Sequence, residues 1–409
     1  MLKKTVAFLL FIISQFSSIA QSDSLSGRSC HLRISLLTCS PGTALYSTFG
    51  HSALRLIDST DSTDIIFNYG TFDFEDPGFY KKFILGKLLY FVSIEEFSDF
   101  VMQYEYEGRG IIEQELNLPC DVKEQLLSAL FENAKEENKY YKYDFAYDNC
   151  TTRLRDMVYG SGNDSFQIKN ILPYKNTTFR NLIYEYLDNN HQYWSKLGID
   201  ILLGMPFDKK VSNDEAMFLP DYLLKAFDST TTGNKQLVAG KTTILEPAIH
   251  TRKVSLFTPL LVFCLLFLLI TGISFFKSSG FRFILRTFDI IFFSLCGMIG
   301  LLILFMWLGT EHQACRNNLN LLWALPTHLP AAFLLFKKSL LINKYFCFVF
   351  ILTITLMIVW FFLPQQMNIA LLPVSGIIVL RSLFLCKKSN SQPFSPEKNN
   401  KMAGKTEAL

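Results

Sequence analysis

Charge is scarce in this chain. Asp, Glu, Lys and Arg make up 18% of its 409 residues, where about 25% is usual for soluble proteins. The net charge is only +3, and no long basic run occurs before residue 250. That argues against a nucleic-acid partner, which needs a surface that neutralises phosphates. Histidine is scarce as well, with six in the chain. None stands at ligand spacing from cysteine or a carboxylate, so neither a metal nor another cofactor is expected.

Apolar residues, by contrast, reach 50% and are unevenly spread. The first residues, "MLKKTVAFLLFIISQFSSIAQS", join Lys3 and Lys4 to a short apolar core and a small-x-small site at Ser18–Ala20. This is the pattern of a secretory signal peptide over 1–20. The apolar stretch is too short for a comfortable span of about 20 residues. Arg28 and Ser29 before Cys30 suit a lipobox poorly, so a lipidated Cys30 is rejected. A charged and polar mixture fills 21–250. Long apolar runs follow over 251–388, with candidate spans at 254–276, 284–308, 319–336, 345–363 and 367–386. A tail at 389–409, rich in Ser and Lys, reads as disordered.

Basic residues orient the spans. Lys277, Arg282 and Arg286 lie between the first two, Lys337, Lys338 and Lys344 between the third and fourth, and Lys387 and Lys388 after the fifth. The positive-inside rule puts these loops and the C-terminus in the cytoplasm and the 21–250 part outside. The expected location is a bacterial inner membrane, crossed several times, with a periplasmic domain. The third span, "RNNLNLLWALPTHLPAAFLLF", is unusually polar. Asn317, Asn318 and Asn320 stand at its outer end, and His328 lies deeper, between Pro326 and Pro330. Such groups in a bilayer are either functional or bonded between helices around a kink. With His312 in the preceding loop, Asn320 and His328 are candidates for admitting lipid headgroups.

The soluble part reads as mixed α+β. Strands are expected near 31–37, 52–58, 64–69 and 110–118, with a hairpin loop between Asp58 and Asp64. Ser93 with Glu96, and Asp121 with Glu124, have the spacing of capping boxes that open two helices. The apolar 194–206 suits either the membrane surface or the core.

Two motifs carry chemistry. In "DNCTTRL", Asp148 and Asn149 are good N-cap residues, so Cys150 opens a helix running to Gly160. A cysteine there has its thiolate favoured by unpaired N–H groups and the helix dipole. In "STFGHSALRLID", Gly50 permits a tight turn that puts His51 at the edge of a strand. His51 is the best-placed partner for the thiol; His31, His191 and His250 have no matching cue. Asn68 in "IIFNYG", on the following strand, is the chosen orienting group, and Asp73 is its rival. Arg55 faces either the site, as a substrate contact, or a carboxylate. Spacing leaves Cys39 open as the nucleophile. It also leaves open disulfides among Cys30, Cys39, Cys120 and Cys150.

The order histidine on a strand, then cysteine at a helix start, resembles the circularly permuted papain-like enzymes of the lecithin–retinol acyltransferase type. More closely, "LLTCSPGTALYSTFGHSALR", "YDNCTTRLRD", "GIDILLGMPFD", "AMFLPDYL" and "NLNLLWALPTH" together resemble the Bacteroides-type lipoprotein N-acyltransferase (Lnb) family. The resemblance implies a papain-like periplasmic domain followed by an all-α bundle of five membrane helices. It implies Cys150 as nucleophile and His51 as base. The implied reaction moves a fatty acyl chain from a membrane phospholipid to the α-amine of a lipoprotein's diacylglyceryl-cysteine. Two other classes remain at this point: a membrane-tethered cysteine peptidase or amidase of the cell wall, and a non-enzymatic receptor or assembly factor.

Overall fold

Alternating apolar residues build an antiparallel sheet that closes on both faces with helices. The computed structural model describes residues 30–162, 166–248, 256–276, 278–335 and 340–387. The expected signal peptide, the 389–409 tail, and Lys277, Lys337, Lys338, Lys388 and His250 lie outside the described residues.

The strands of the main sheet are β1 (Leu32–Cys39), β2 (His51–Asp58), β3 (Thr63–Thr71), β4 (Leu89–Glu96), β5 (Ile111–Leu116), β6 (Tyr140–Lys142) and β7 (Val238–Leu245). Their order is β7-β5-β1-β2-β3-β4-β6, with every neighbouring pair antiparallel. The register sets Leu36 opposite Leu54 and Leu54 opposite Phe67. Because side chains alternate, Leu32, Ile34, Leu36, Leu54, Leu56, Phe67 and Tyr69 share one buried cluster. The helices α3 (Cys120–Ala134), α4 (Cys150–Gly160) and α7 (Pro220–Ser229) cover that face. Leu37, Cys39, Ala53 and Ile66 face the other way, against Phe100 and Tyr104 of α2 (Phe97–Tyr106). A short helix, α1 (Phe79–Leu85), bridges β3 and β4. Two further helices, α5 (Phe179–Asn189) and α6 (Tyr193–Leu202), precede α7.

Both expected capping boxes are absent. Ser93 lies inside β4 opposite Asn68, and its hydroxyl pairs with that of Thr71 at 2.8 Å. The strand ladder therefore outcompetes the cap, and α2 opens after Glu96 without a side-chain cap. The helix assigned to Asp121 begins at Cys120, behind Pro119, also uncapped by a side chain. Cys120 is held there by a disulfide to Cys30. Cys39 and Cys150 are free thiols.

The C-terminal part is helical: α8 (Pro259–Ser274), α9 (Ser279–Leu308), α10 (His328–Leu334), α11 (Leu340–Val359) and α12 (Leu371–Lys387). Among the described residues, Ser279–Leu308 and Leu340–Phe362 are long and apolar enough to cross a bilayer, each with mean hydropathy 2.5. The expected third span over 319–336 is not one helix. It is a 3₁₀ turn at Leu319–Leu322, a break, and the seven residues of α10. Its asparagines explain the break, because they are drawn out of the helical ladder. Asn318 donates to the carbonyls of Ile201 (2.8 Å) and Leu202 (3.0 Å), and Asn320 to that of Asp200 (2.9 Å). Asp289 of α9 and Arg381 of α12 form a buried bidentate pair at 2.7 and 2.8 Å.

The same contacts join the two parts. Segment 194–206 lies against protein rather than as a free surface helix: Leu197 of α6 is buried in the core of the helical part. Beside it, Arg180 of α5 binds Asp200 at 2.8 Å and Asp208 at 2.9 Å, with its side chain fully buried. Tyr184 and Asn368 also donate to Asp200. Arg180→Met should lower stability by about 3–5 kcal/mol, because two buried carboxylates would lose their counter-charge. Thermal unfolding of the detergent-purified full chain measures this; an unchanged midpoint would show the junction does not depend on the arginine.

Candidate active site

Cys150 occupies the first turn of α4, and the residue before it builds the cap. Asn149 is buried, and its Oδ1 accepts from the N–H groups of Thr151 and Thr152, both at 2.9 Å. The Asn149 N–H in turn donates to Thr152 Oγ1 at 2.9 Å, completing a capping box. The Asn149 amide also anchors the turn from outside, donating to Phe145 O at 2.7 Å and Phe218 O at 2.9 Å. Cys150 is 9% exposed, and α4 lies across β2 and β3.

Two glycines let the strands meet it. Gly50 has φ +82°, and a Cβ there would stand 2.8 Å from the Cys39 carbonyl. Only glycine makes that turn comfortably, and it delivers His51 as the first residue of β2, opposite Cys39. Gly70 has φ +92° at the irregularity between Tyr69 and Thr71. A Cβ on it would lie 3.4 Å from Cys150 Cβ and 4.0 Å from His51 Cε1.

His51, Asn68 and Cys150 come together. The His51 Nε2 lies 2.7 Å from Asn68 Oδ1. The Asn68 amide donates to Glu95 Oε1 at 2.6 Å. With its N–H taken up by Glu95, the asparagine presents its carbonyl to the ring, so Nε2 carries the proton and Nδ1 is the nitrogen free for the thiol. Burial works against a thiolate at Cys150. The charge and hydrogen bond of His51, the Thr151 hydroxyl and the Ser52 N–H outweigh it and bring the thiol down to about 7. Burial likewise opposes charge on His51. The Cys150 charge and hydrogen bonds from Cys150 and Asn68 raise the imidazole above its ordinary value, against the opposing Arg109. Each group thus favours the charged form of the other.

Cys39 has the opposite environment. Burial pushes its thiol up to about 12, with only partial relief from Arg109, so it stays protonated at neutral pH. Asp73 caps its own turn, accepting from the Glu75 N–H at 2.8 Å, and does not reach the ring. Glu95 and Arg109 were missed in the sequence. Glu95 was hidden because residues 93–96 read as a helix start; the β3–β4 register would have exposed it.

The expected substrate contacts lie elsewhere. Arg55 turns to carboxylates: Asp64 at 2.8 and 2.6 Å and Glu113 at 3.2 Å, with its guanidinium 3.3 Å from the centre of the Phe97 ring. Asn320 also accepts from Trp323 Nε1 at 2.9 Å. His328 is buried between Trp323 O at 3.1 Å and the Tyr345 hydroxyl at 2.7 Å. His312 packs its Nε2 against the carbonyls of Phe83 and Ile84, at 3.2 and 3.1 Å. All four contact protein groups in this structure. His31, Cys120 and Glu124 bring ligand-type atoms within 4.8 Å of one another, but Cys120 is held in its disulfide. A cavity of about 690 Å³ opens at the junction of α5, α6 and the α11–α12 loop, yet Cys150, His51 and Asn68 do not line it.

An α+β domain that presents a cysteine, histidine and asparagine together, and continues into an apolar helical part, defines a membrane-embedded protein of the cysteine–histidine type. Residues 26–185 match the family model of the Lnb N-terminal periplasmic domain, and residues 251–392 match that of the Lnb transmembrane domain. The chain therefore belongs to the Lnb family of lipoprotein N-acyltransferases, as an inner-membrane protein with a periplasmic N-terminal domain. No curated protein and no solved structure matches the chain.

The pair has a direct pH signature. Alkylation of Cys150 by iodoacetamide, followed on its own peptide by mass spectrometry, should accelerate as pH rises through about 7, because only the thiolate reacts. In His51→Ala the midpoint should move above that of the wild type, since burial then acts on the thiol unopposed. An identical midpoint in both proteins would show that His51 does not activate the thiol.

Proposed function

We propose that the chain transfers a fatty acyl group from a membrane phospholipid, through a thioester on Cys150, to the α-amine of a lipoprotein's diacylglyceryl-cysteine. The observation that carries this is the Cys150–His51–Asn68 contact on a domain joined to membrane helices. We read that domain as a circularly permuted papain-like unit, with the histidine strand ahead of the cysteine helix, and place the C-terminus in the cytoplasm by its basic residues.

In the first step the Cys150 thiolate attacks the ester carbonyl. A C–S bond forms and the carbonyl π pair moves onto oxygen. When the tetrahedral species collapses, the ester C–O bond breaks, and His51 protonates the departing lysophospholipid alkoxide. In the second step the lipoprotein amine attacks the thioester, neutral His51 takes its proton, and the C–S bond breaks to restore the thiolate. Asn68 keeps the ring in one tautomer, and Glu95 keeps Asn68 in place.

The α1 region supports lipid rather than wall peptide as the donor. Phe74, Tyr80, Phe83, Ile84 and Leu89 are exposed in one stretch, Tyr80 by 76%. His312 and Glu311, just beyond the end of α9, hold this stretch: the Glu311 N–H donates to Leu85 O at 2.9 Å, and Glu311 pairs with Lys87 and Lys142. An apolar surface fastened to the end of a spanning helix suits the bilayer interface.

Mass spectrometry of a lipoprotein N-terminus from cells carrying Cys150→Ser should show loss of the amide-linked acyl chain. Triacylated lipoprotein at the wild-type level would overturn the nucleophile. With purified protein and a labelled phospholipid, His51→Ala should slow thioester formation by about 10²–10⁴-fold, and unchanged labelling would reject the base.

A further inference from the structure

We propose that Tyr141 is a further catalytic residue: its hydroxyl donates a hydrogen bond to the acyl carbonyl oxygen in the space that Gly70 keeps open. This rests on the thioester reading above and adds to it a group for the oxygen rather than for the sulfur or the proton.

Tyr141 lies in the short edge strand β6, opposite Tyr90, with its ring turned inward and 5% exposed. Its hydroxyl makes no hydrogen bond among the described residues. That is unusual. Buried tyrosine hydroxyls normally find a partner, because leaving one unsatisfied forfeits its hydration without return. Tyr69, packed beside it at 6.3 Å between ring centres, has its hydroxyl on Asn133 at 2.7 Å. The Tyr141 ring is not loose, since the Arg153 guanidinium lies 3.9 Å from its centre. Asp148 holds that guanidinium by bonds of 2.6 and 2.8 Å.

The unpartnered oxygen points at the site. The position a Cβ would take on Gly70 is 3.4 Å from Cys150 Cβ, 3.9 Å from Tyr141 Oη and 4.0 Å from His51 Cε1. One small space, empty because residue 70 has no side chain, is thus flanked by the nucleophile, the imidazole and a free donor. Burial, and then the charge of Cys150, raise the Tyr141 hydroxyl above its ordinary range. It therefore stays protonated beside a thiolate and can only donate to a developing anion. The Cys150 N–H, at the first position of α4, has no carbonyl a turn earlier in the helix to bond and offers a second donor. When the thiolate adds to the ester, the π pair that arrives on oxygen meets these two hydrogens. When the C–O bond breaks, the pair returns and the hydrogen bonds relax, with no proton transferred from Tyr141.

The test compares two reactions at the same sulfur. Thioester formation passes through an oxyanion, whereas alkylation by iodoacetamide is a displacement at a saturated carbon and forms none. In full-length Tyr141→Phe, which keeps the buried ring, thioester formation from phospholipid vesicles should fall by about 10²–10³-fold. The alkylation rate and its pH midpoint should stay at wild-type values. Unchanged acylation would overturn the proposal. So would a parallel fall in both rates, which would place Tyr141 behind the thiol instead. If the wild type takes no acyl group from phospholipid, the donor reading fails on its own. The same comparison with p-nitrophenyl butyrate then decides Tyr141, because any ester passes through the same oxyanion.

Discussion

A negative sulfur inside a protein needs partners on every side, and that requirement organises the periplasmic half of this molecule. Burial alone disfavours a thiolate. Here the deficit is offset by the His51 ring, the Thr151 hydroxyl and the Ser52 N–H. Each partner comes from a different constraint. His51 and Ser52 are consecutive at the start of β2, so Ser52 offers its backbone while His51 offers its ring. Thr151 follows from the turn that Asn149 caps. Gly70 then removes the one side chain that would stand against Cys150. Taking away any of these asks the thiol to charge without support.

The membrane half is tied to this arrangement by polar groups that a bilayer would reject. Asp200, with no exposed side-chain surface, is satisfied by Arg180, Tyr184 and Asn368 together. Asn318 and Asn320 cap the carbonyl end of α6 from the other side. Satisfied networks of this kind rigidify a junction, because breaking one bond strands the others. The domain is thus held at a set place above the helices, and α1 is fastened to the end of α9 by Glu311 and His312. For the proposed reaction between two lipid-anchored substrates, a rigid mount does what a long linker cannot: it fixes the height of the proposed nucleophile relative to the headgroups.

Much of this was legible in the residues. Period-two alternation placed β1, β2, β3 and β5, and the "DNC" sequence placed the start of α4 and its cap. Glycine at 50 foretold the tight turn before His51, which the structure makes with φ +82°. The reading failed where local signals competed with tertiary ones. Ser93 and Glu96 satisfy a capping pattern, but Ser93 is opposite Asn68 in a ladder, and six residues of pairing outweigh one cap. The asparagines of the third hydrophobic segment were read as groups within a membrane helix. They instead break the helix, because carbonyls from α6, more than a hundred positions away in the chain, are there to receive them. Arg55 had two readings, and carboxylates on β3 and on β5, two strands away across β1, decided between them. Contacts of that kind depend on register, which a single sequence does not state.

The polar chain behind the imidazole shows the same dependence most clearly. Asn68 alone could orient its amide either way, since its oxygen and nitrogen are nearly interchangeable in shape. Glu95 removes the ambiguity. A carboxylate accepts only, so the amide nitrogen must face it and the oxygen must face His51. The ring is then compelled to hold its proton on Nε2 and to turn Nδ1 toward the sulfur. A carboxylate two strands away from His51 thus selects the tautomer of the ring without touching it. A neutral amide between carboxylate and ring thus transmits orientation to Nε2, while the proton that is exchanged moves at Nδ1.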